Sequence, residues 1–93
     1  MDKHAQIICT INKIGDIQEI RKMRGVIIYK KVLTVSFEDG RTMYPEIRNK
    51  FIEPFNKLNL EEGETVILDI VFEGSEKKGI RYNNINIIKT KRL

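Results

Sequence analysis

Asn49-Lys50-Phe51-Ile52-Glu53-Pro54-Phe55-Asn56-Lys57-Leu58-Asn59-Leu60 is where the hydrophobic period of the chain changes. Phe51, Ile52, Phe55 and Leu58, with Leu60 beyond them, fall at the spacings that put residues on one side of a short helix. Asn49 carries a side-chain oxygen able to accept from the first turn, so it is the expected N-cap. Pro54 lacks a backbone donor and crowds the turn before it, which restricts the helix to a turn or two.

Outside this stretch the period is two. Upstream, residues 5–17 alternate Ile7, Cys9 and Ile11 with Ile8, Thr10 and Asn12, the β-branched pattern of a strand. Gly15, late in that run, is where a bulge would bend a long first strand. Residues 18–25 are polar and close on Gly25, as a loop does. Alternation resumes over 26–37, with Ile27, Tyr29, Leu33, Val35 and Phe37 on one parity. Glu38-Asp39-Gly40-Arg41 has the Asp-Gly signature of a hairpin turn. Residues 42–47 form a shorter strand, which Pro45 confines to an edge, a bulge or a short run. Downstream, Glu61-Glu62-Gly63-Glu64 turns the chain into a fourth strand over 65–73. A glycine-bounded loop over 74–79 leads to a last strand over 80–89, and a short basic tail, 89–93, follows.

Three strands, a short helix and two strands is the element order of the OB-fold, a five-stranded all-β Greek-key barrel with its helix between strands three and four. An SH3-like barrel would lack the helix, and a ubiquitin-like roll would place it after the second strand. Closing the barrel would also dispose of exposed sheet edges. The 93 residues suffice for one domain, expected over 1–93. At 41% hydrophobic and 32% charged, the composition is neither disordered nor membrane-embedded. Val26-Ile27-Ile28-Tyr29 is among the longest apolar runs, far short of the roughly 18 residues of a membrane span. The N-terminal residues lack the apolar stretch of a signal peptide, and a single cysteine allows no internal disulfide. A soluble, cytoplasmic protein is expected.

Charge is unevenly distributed. Residues 1–19 carry a net −1, residues 20–31 +5 with no acid, residues 32–76 −6, and residues 77–93 +6 with no acid, within a total of +4. Two basic segments thus bracket an acidic middle. Ligands of OB-folds lie across strands two and three, between the loop joining strands one and two and the loop joining four and five. Here those loops are 18–25 and 74–79, within or beside the basic segments. Arg21, Lys22 and Arg24 would line one side of the groove and Lys77, Lys78 and Arg81 the other, with Lys30 between them. The acidic middle would fall on the helix, its turn and strand four, away from the groove. Single strands also need aromatic platforms, and Tyr29, Tyr44 and Tyr82 are the candidates. Phe37, Phe51, Phe55 and Phe72 have no polar handle and are expected in the core.

Three segments carry a resemblance. Tyr29-Lys30-Lys31 enters the second strand, Leu58-Asn59-Leu60-Glu61-Glu62-Gly63-Glu64-Thr65-Val66 contains the pattern Leu-x-x-Gly-(Asp/Glu)-x-Val, and Arg81-Tyr82-Asn83-Asn84-Ile85 lies in the last strand. Together they resemble a family of small bacterial and phage OB-fold proteins, mostly uncharacterised and similar to single-stranded DNA-binding proteins. The resemblance spans roughly residues 7–89. It implies binding of single-stranded DNA, expected to be largely sequence-independent and to serve replication, recombination or repair. One small barrel covers only about 4–16 nucleotides, so a homo-oligomer is expected on a strand. The family usually has Trp where Tyr29 stands, and this chain has no Trp. Bacterial single-stranded DNA-binding proteins end in an acidic tail, whereas Lys89-Thr90-Lys91-Arg92-Leu93 is basic.

Nothing in the sequence points to catalysis, a cofactor or a metal. His4 stands near the terminus without an acidic or thiol cluster, and Cys9 reads as a small buried hydrophobe. Glu61, Glu62 and Glu64 read as a solvated turn, and no phosphate-binding or dinucleotide motif is present. Two alternatives to DNA binding stand: an RNA-binding barrel of the cold-shock or ribosomal type, and a protein-interaction module whose basic loops meet an acidic partner.

Overall fold

The structure, a computed structural model, describes residues 4–93. In chain order these form β1 (His4–Ile14), β2 (Gln18–Arg21), a 3-10 turn (Met23–Gly25), β3 (Ile27–Ser36), β4 (Thr42–Met43), β5 (Glu46–Arg48), a second 3-10 turn (Asn49–Phe51), α1 (Ile52–Lys57), β6 (Thr65–Lys77) and β7 (Ile80–Arg92). The predicted alternation is met where strands pack. Cys9 and Ile11 of β1, Leu33 and Val35 of β3, Ile47 of β5, Val66, Leu68 and Ile70 of β6 and Ile87 of β7 are buried together. Ile52 and Phe55 of α1 complete that core, as their helical spacing requires.

The strands pair as β1 with β6, β6 with β7, β7 with β5, and β5 with β3, and β3 returns to β1. These ladders are antiparallel except β5–β7, a parallel pairing of Glu46 with Asn86. β2 and β4 are appended to β3.

Seven strands rather than five result from two interruptions. The first run stops at Ile14 because Gly15 lies against β3. Its N–H donates to the Val32 carbonyl at 3.0 Å, and a Cβ there would sit 2.5 Å from that oxygen. The expected bulge is at Asn12 instead, between the Ile11–Val35 and Lys13–Thr34 pairs. Beyond Gly15 the residues expected as a loop form β2, whose Ile20 stands opposite Ile28 of β3. The second interruption is Pro45, which separates β4 from β5. Its carbonyl still accepts from Leu33 N–H at 2.9 Å, so the buried proline keeps the one ladder function it has.

Asn49, the 74–79 loop and the 89–93 tail differ from expectation, while the helix is as short as Pro54 implied. Asn49 does not cap the helix: it adopts a left-handed φ of 46°, and its Oδ1 accepts from Tyr29 N–H at 3.0 Å. Pro54 is the third residue of α1, in the first turn, where a missing N–H costs no intrahelical bond. The loop over 74–79 shrinks to Lys78 and Gly79, both with positive φ, because β6 and β7 extend as a two-stranded arm through the Lys77–Ile80 pair. At the other end, residues 89–92 are no tail. They pair with residues 66–69 of β6, and Arg92 donates to the Glu64 carboxylate at 3.1 Å and to the Leu58 carbonyl.

Candidate nucleic-acid interface

The site is built on the side of β3, β5 and β7 that faces away from the core. Leu33, Val35 and Ile47 point inward, so Lys30, Val32, Glu46 and Arg48 point outward by alternation. Lys30 stands in register with Arg48, and Val32 with Glu46. Asn86 follows across the parallel pair, with Asn84 and Tyr82 further back along the same side of β7. Because β5 runs antiparallel to β3 and parallel to β7, the two long hairpins leave this face at opposite ends. The β2–β3 turn lies beyond Lys30 and Arg48. The β6–β7 arm lies beyond Asn84 and Tyr82.

Each hairpin tip is cationic. Arg21, Lys22 and Arg24 are exposed at the first, where Lys22 N–H closes the turn on the Val26 carbonyl at 2.8 Å. Arg24 and Gly25 supply the positive φ the turn needs. Lys77, Lys78 and Arg81 are exposed at the second. Arg21 lies 3.2 Å from Glu19, and Arg81 3.8 Å from Glu76, in exposed pairs of little strength. By alternation Arg81 shares its side of β7 with Asn83, and Lys77 is paired with Ile80 on the side of Tyr82.

Between the tips, charge is partly compensated, with two cations meeting one carboxylate. The Lys30 ammonium is 3.0 Å from Glu46 Oε1, and the Arg48 guanidinium is 2.8 Å from Oε2. Burial alone would raise the Glu46 carboxyl, but the hydrogen bonds from Lys30 and Arg48 outweigh it and hold it below its ordinary value. Lys30 is therefore engaged by an acid. Glu46, counted with the acidic middle of the chain, lies on this face and not away from it.

The tyrosines separate. Tyr44, between β4 and β5, is 62% exposed and lines a pocket of about 350 Å³ with Thr42, Met43, Glu46, Asn83, Asn84 and Ile85. Tyr82 is half exposed on the arm, opposite Ser75. Tyr29 is on the other side of β3 from Lys30, the side that meets α1. It lines an apolar groove with Ile17, Ile27 and Ile52. Lys31 follows it there, donating to Asn56 Oδ1 at 2.8 Å. Among the phenylalanines, Phe55 is buried and Phe37 and Phe51 pack on the core. Phe72 is 50% exposed because β6 has left the core by that point.

The structure thus brings Lys30 and Tyr44 to one face through Glu46, puts the two basic tips at its ends, and turns Tyr29 away. Sequence reasoning missed Glu46, Arg48, Asn83, Asn84 and Asn86. The asparagine-rich run 83–86 was a visible signal; Arg48 was hidden in a segment of negative net charge. Cys9 is 2% exposed, as expected of a small hydrophobe. Burial pushes its thiol up to about 11, so the reactive thiolate is scarce at neutral pH. Among the described residues no His, Cys, Asp or Glu cluster could hold a metal ion, and no helix is long and apolar enough to cross a membrane.

No family model and no curated protein sequence matches the chain, so the motif resemblance to small bacterial and phage proteins gains no support from sequence. Solved structures do match. One crystal form of the mitochondrial single-stranded DNA-binding protein Rim1 from S. cerevisiae superimposes with a TM-score of 0.62 at 15% identity, covering 100% of this chain and 97% of that one. A second form gives 0.61 at 14%, covering 100% and 95%. At such identity the likeness is one of fold: a mostly-β domain with one short helix, arranged as in an OB-type single-stranded DNA-binding protein.

Proposed function

We propose that this chain binds single-stranded DNA with little dependence on sequence, serving replication, recombination or repair in the cytoplasm of a bacterial cell or a phage-infected host. The carrying observation is the fold shared along the whole chain with Rim1, together with two cationic hairpin tips at opposite ends of one face. The strand would cross the outside of a closed five-stranded barrel. Its phosphates would meet Arg21, Lys22 and Arg24 at one end and Lys77, Lys78 and Arg81 at the other, and its bases would stack on Tyr44 and Tyr82. Lys30 contributes less than its charge suggests, since Glu46 holds it. One OB unit covers about 4–16 nucleotides, so tight binding to long strands calls for several subunits, a homo-oligomer included.

Fluorescence anisotropy with labelled poly-dT, poly-U and duplex DNA of equal length tests the reading. Tighter binding to the dT strand than to duplex is expected. Equal or tighter binding to poly-U would shift the assignment to RNA. No binding to any of the three at low salt would overturn it and leave the basic tips to an acidic protein partner.

A further inference from the structure

The pocket beside Tyr44 has a chemical bias that sequence-independent binding does not require. Its volume, about 350 Å³, lies at the small end of ligand pockets. Tyr44 supplies an exposed aromatic wall, and the Glu46 carboxylate beside it can only accept. Glu46 Oε1 accepts from Lys30 and Oε2 from Arg48. A carboxylate oxygen has two lone pairs, so each retains acceptor capacity. Asn84 donates one Nδ2 hydrogen to Ser75 Oγ at 3.4 Å and keeps its Oδ1 and a second N–H for a ligand. Asn86, the register partner of Glu46, is not among the residues that line the pocket. The free lone pairs of Glu46 call for a donor, and that donor is no metal ion, because Lys30 and Arg48 already place two positive charges on the same carboxylate.

Resting on the reading of the chain as a single-strand binder, we infer that this pocket holds one base against Tyr44 and reads its amino edge. Adenine or cytosine is preferred there over thymine or guanine. At the edge where adenine and cytosine present N–H₂, thymine and guanine present a carbonyl oxygen, which would face the Glu46 carboxylate acceptor against acceptor and leave only a ring N–H to donate. The rest of the strand is held without regard to sequence, so the preference is confined to one nucleotide.

The test uses the intact chain and dT oligonucleotides of a single site length in which one internal thymine is replaced, position by position, by adenine or by purine lacking the amine. The two replacements stack alike and differ in the N–H₂ group. At one position adenine is expected to bind roughly tenfold tighter than the amine-free purine, and at the others the two should match. Glu46→Gln should abolish that difference while raising affinity for plain dT, because Lys30 and Arg48 lose their carboxylate. Asn84→Ala, on the arm side of the pocket, should reduce the difference even if Glu46→Gln impairs folding. Salt-dependent binding with adenine and purine equal at every position would overturn the inference and leave single-strand binding standing. No binding to any oligonucleotide would overturn both.

Discussion

Glu46 stays ionised against its burial because Lys30 and Arg48 hold both of its oxygens, and that has a consequence for acid stability. Its folded-state value is depressed, so its contribution is fully present above the ordinary value of 4.5 and is lost as the pH falls through the depressed one. Glu46→Gln should therefore shrink the drop in urea midpoint between roughly pH 7 and pH 3; an unchanged drop would mean that other carboxylates carry the acid response. The tyrosines give a second residue-scale prediction. Tyr44→Ala should weaken single-strand binding by roughly 1–3 kcal/mol, the worth of one stacked base. Tyr29→Ala, on the α1 side of β3, should leave it nearly unchanged, and titration of both variants with one oligonucleotide compares them directly. Parity in the sequence grouped Tyr29 with Leu33 and Val35, and that grouping was right about the side of the strand. Burial was not legible, since β3 outruns the core and leaves Tyr29 over an open groove. Glu46 was beyond reach for another reason: its partners Lys30 and Arg48 become neighbours only through the β3–β5 register.

At the scale of elements, alternation located every long strand that packs on the core and failed where a hairpin projects from it. β2 reads as a polar loop because one side of it meets only Ile28 and its neighbours on β3, and the β6–β7 arm reads as a loop because Gly74 to Gly79 pack on no core residue. A two-stranded projection is specified by register and turn geometry, through Arg24, Gly25, Lys78 and Gly79, and carries no core periodicity. The turn uses the backbone of Lys78 and not its charge, and both lysine side chains are exposed, so Lys77 and Lys78 should be replaceable without loss of fold. Lys77→Ala and Lys78→Ala should each weaken DNA binding evenly across sequences and lower the salt slope by about 0.7, with the thermal midpoint unmoved. Gly15 is the contrary case. It lies outside any strand, yet the Val32 carbonyl occupies the place of a Cβ. Gly15→Ala should cost about 1–3 kcal/mol of stability by forced separation of β1 from β3, read as a lower denaturant midpoint; an unshifted midpoint would show that the junction yields freely.

For the whole molecule, the segmental charge seen in the sequence becomes spatial polarity, in a form that differs from its linear order. The acidic middle of the chain does not stay clear of the proposed binding face: Glu46 sits at its centre, and Glu76 stands by Arg81 on the arm. Uncompensated positive charge is therefore concentrated at the two hairpin tips, with a net +1 from Lys30, Arg48 and Glu46 between them. Lys22, Arg24, Lys77 and Lys78 form no ion pair within 4.0 Å among the described residues, while Arg21 and Arg81 are held only by exposed acids that a phosphate can displace. Four to six phosphate contacts follow, and at about 0.7 released counterions each on a single strand, log affinity should fall against log salt with a slope of about −3 to −4. Two separated tips add a length requirement that one continuous basic groove would not. An oligonucleotide too short to reach both should show roughly half that slope, and a longer one should recover it at a definite length. Anisotropy titrations over a salt series, repeated across a ladder of dT lengths, measure both quantities. A slope already full at the shortest binding length would show that a single tip supplies the phosphate contacts.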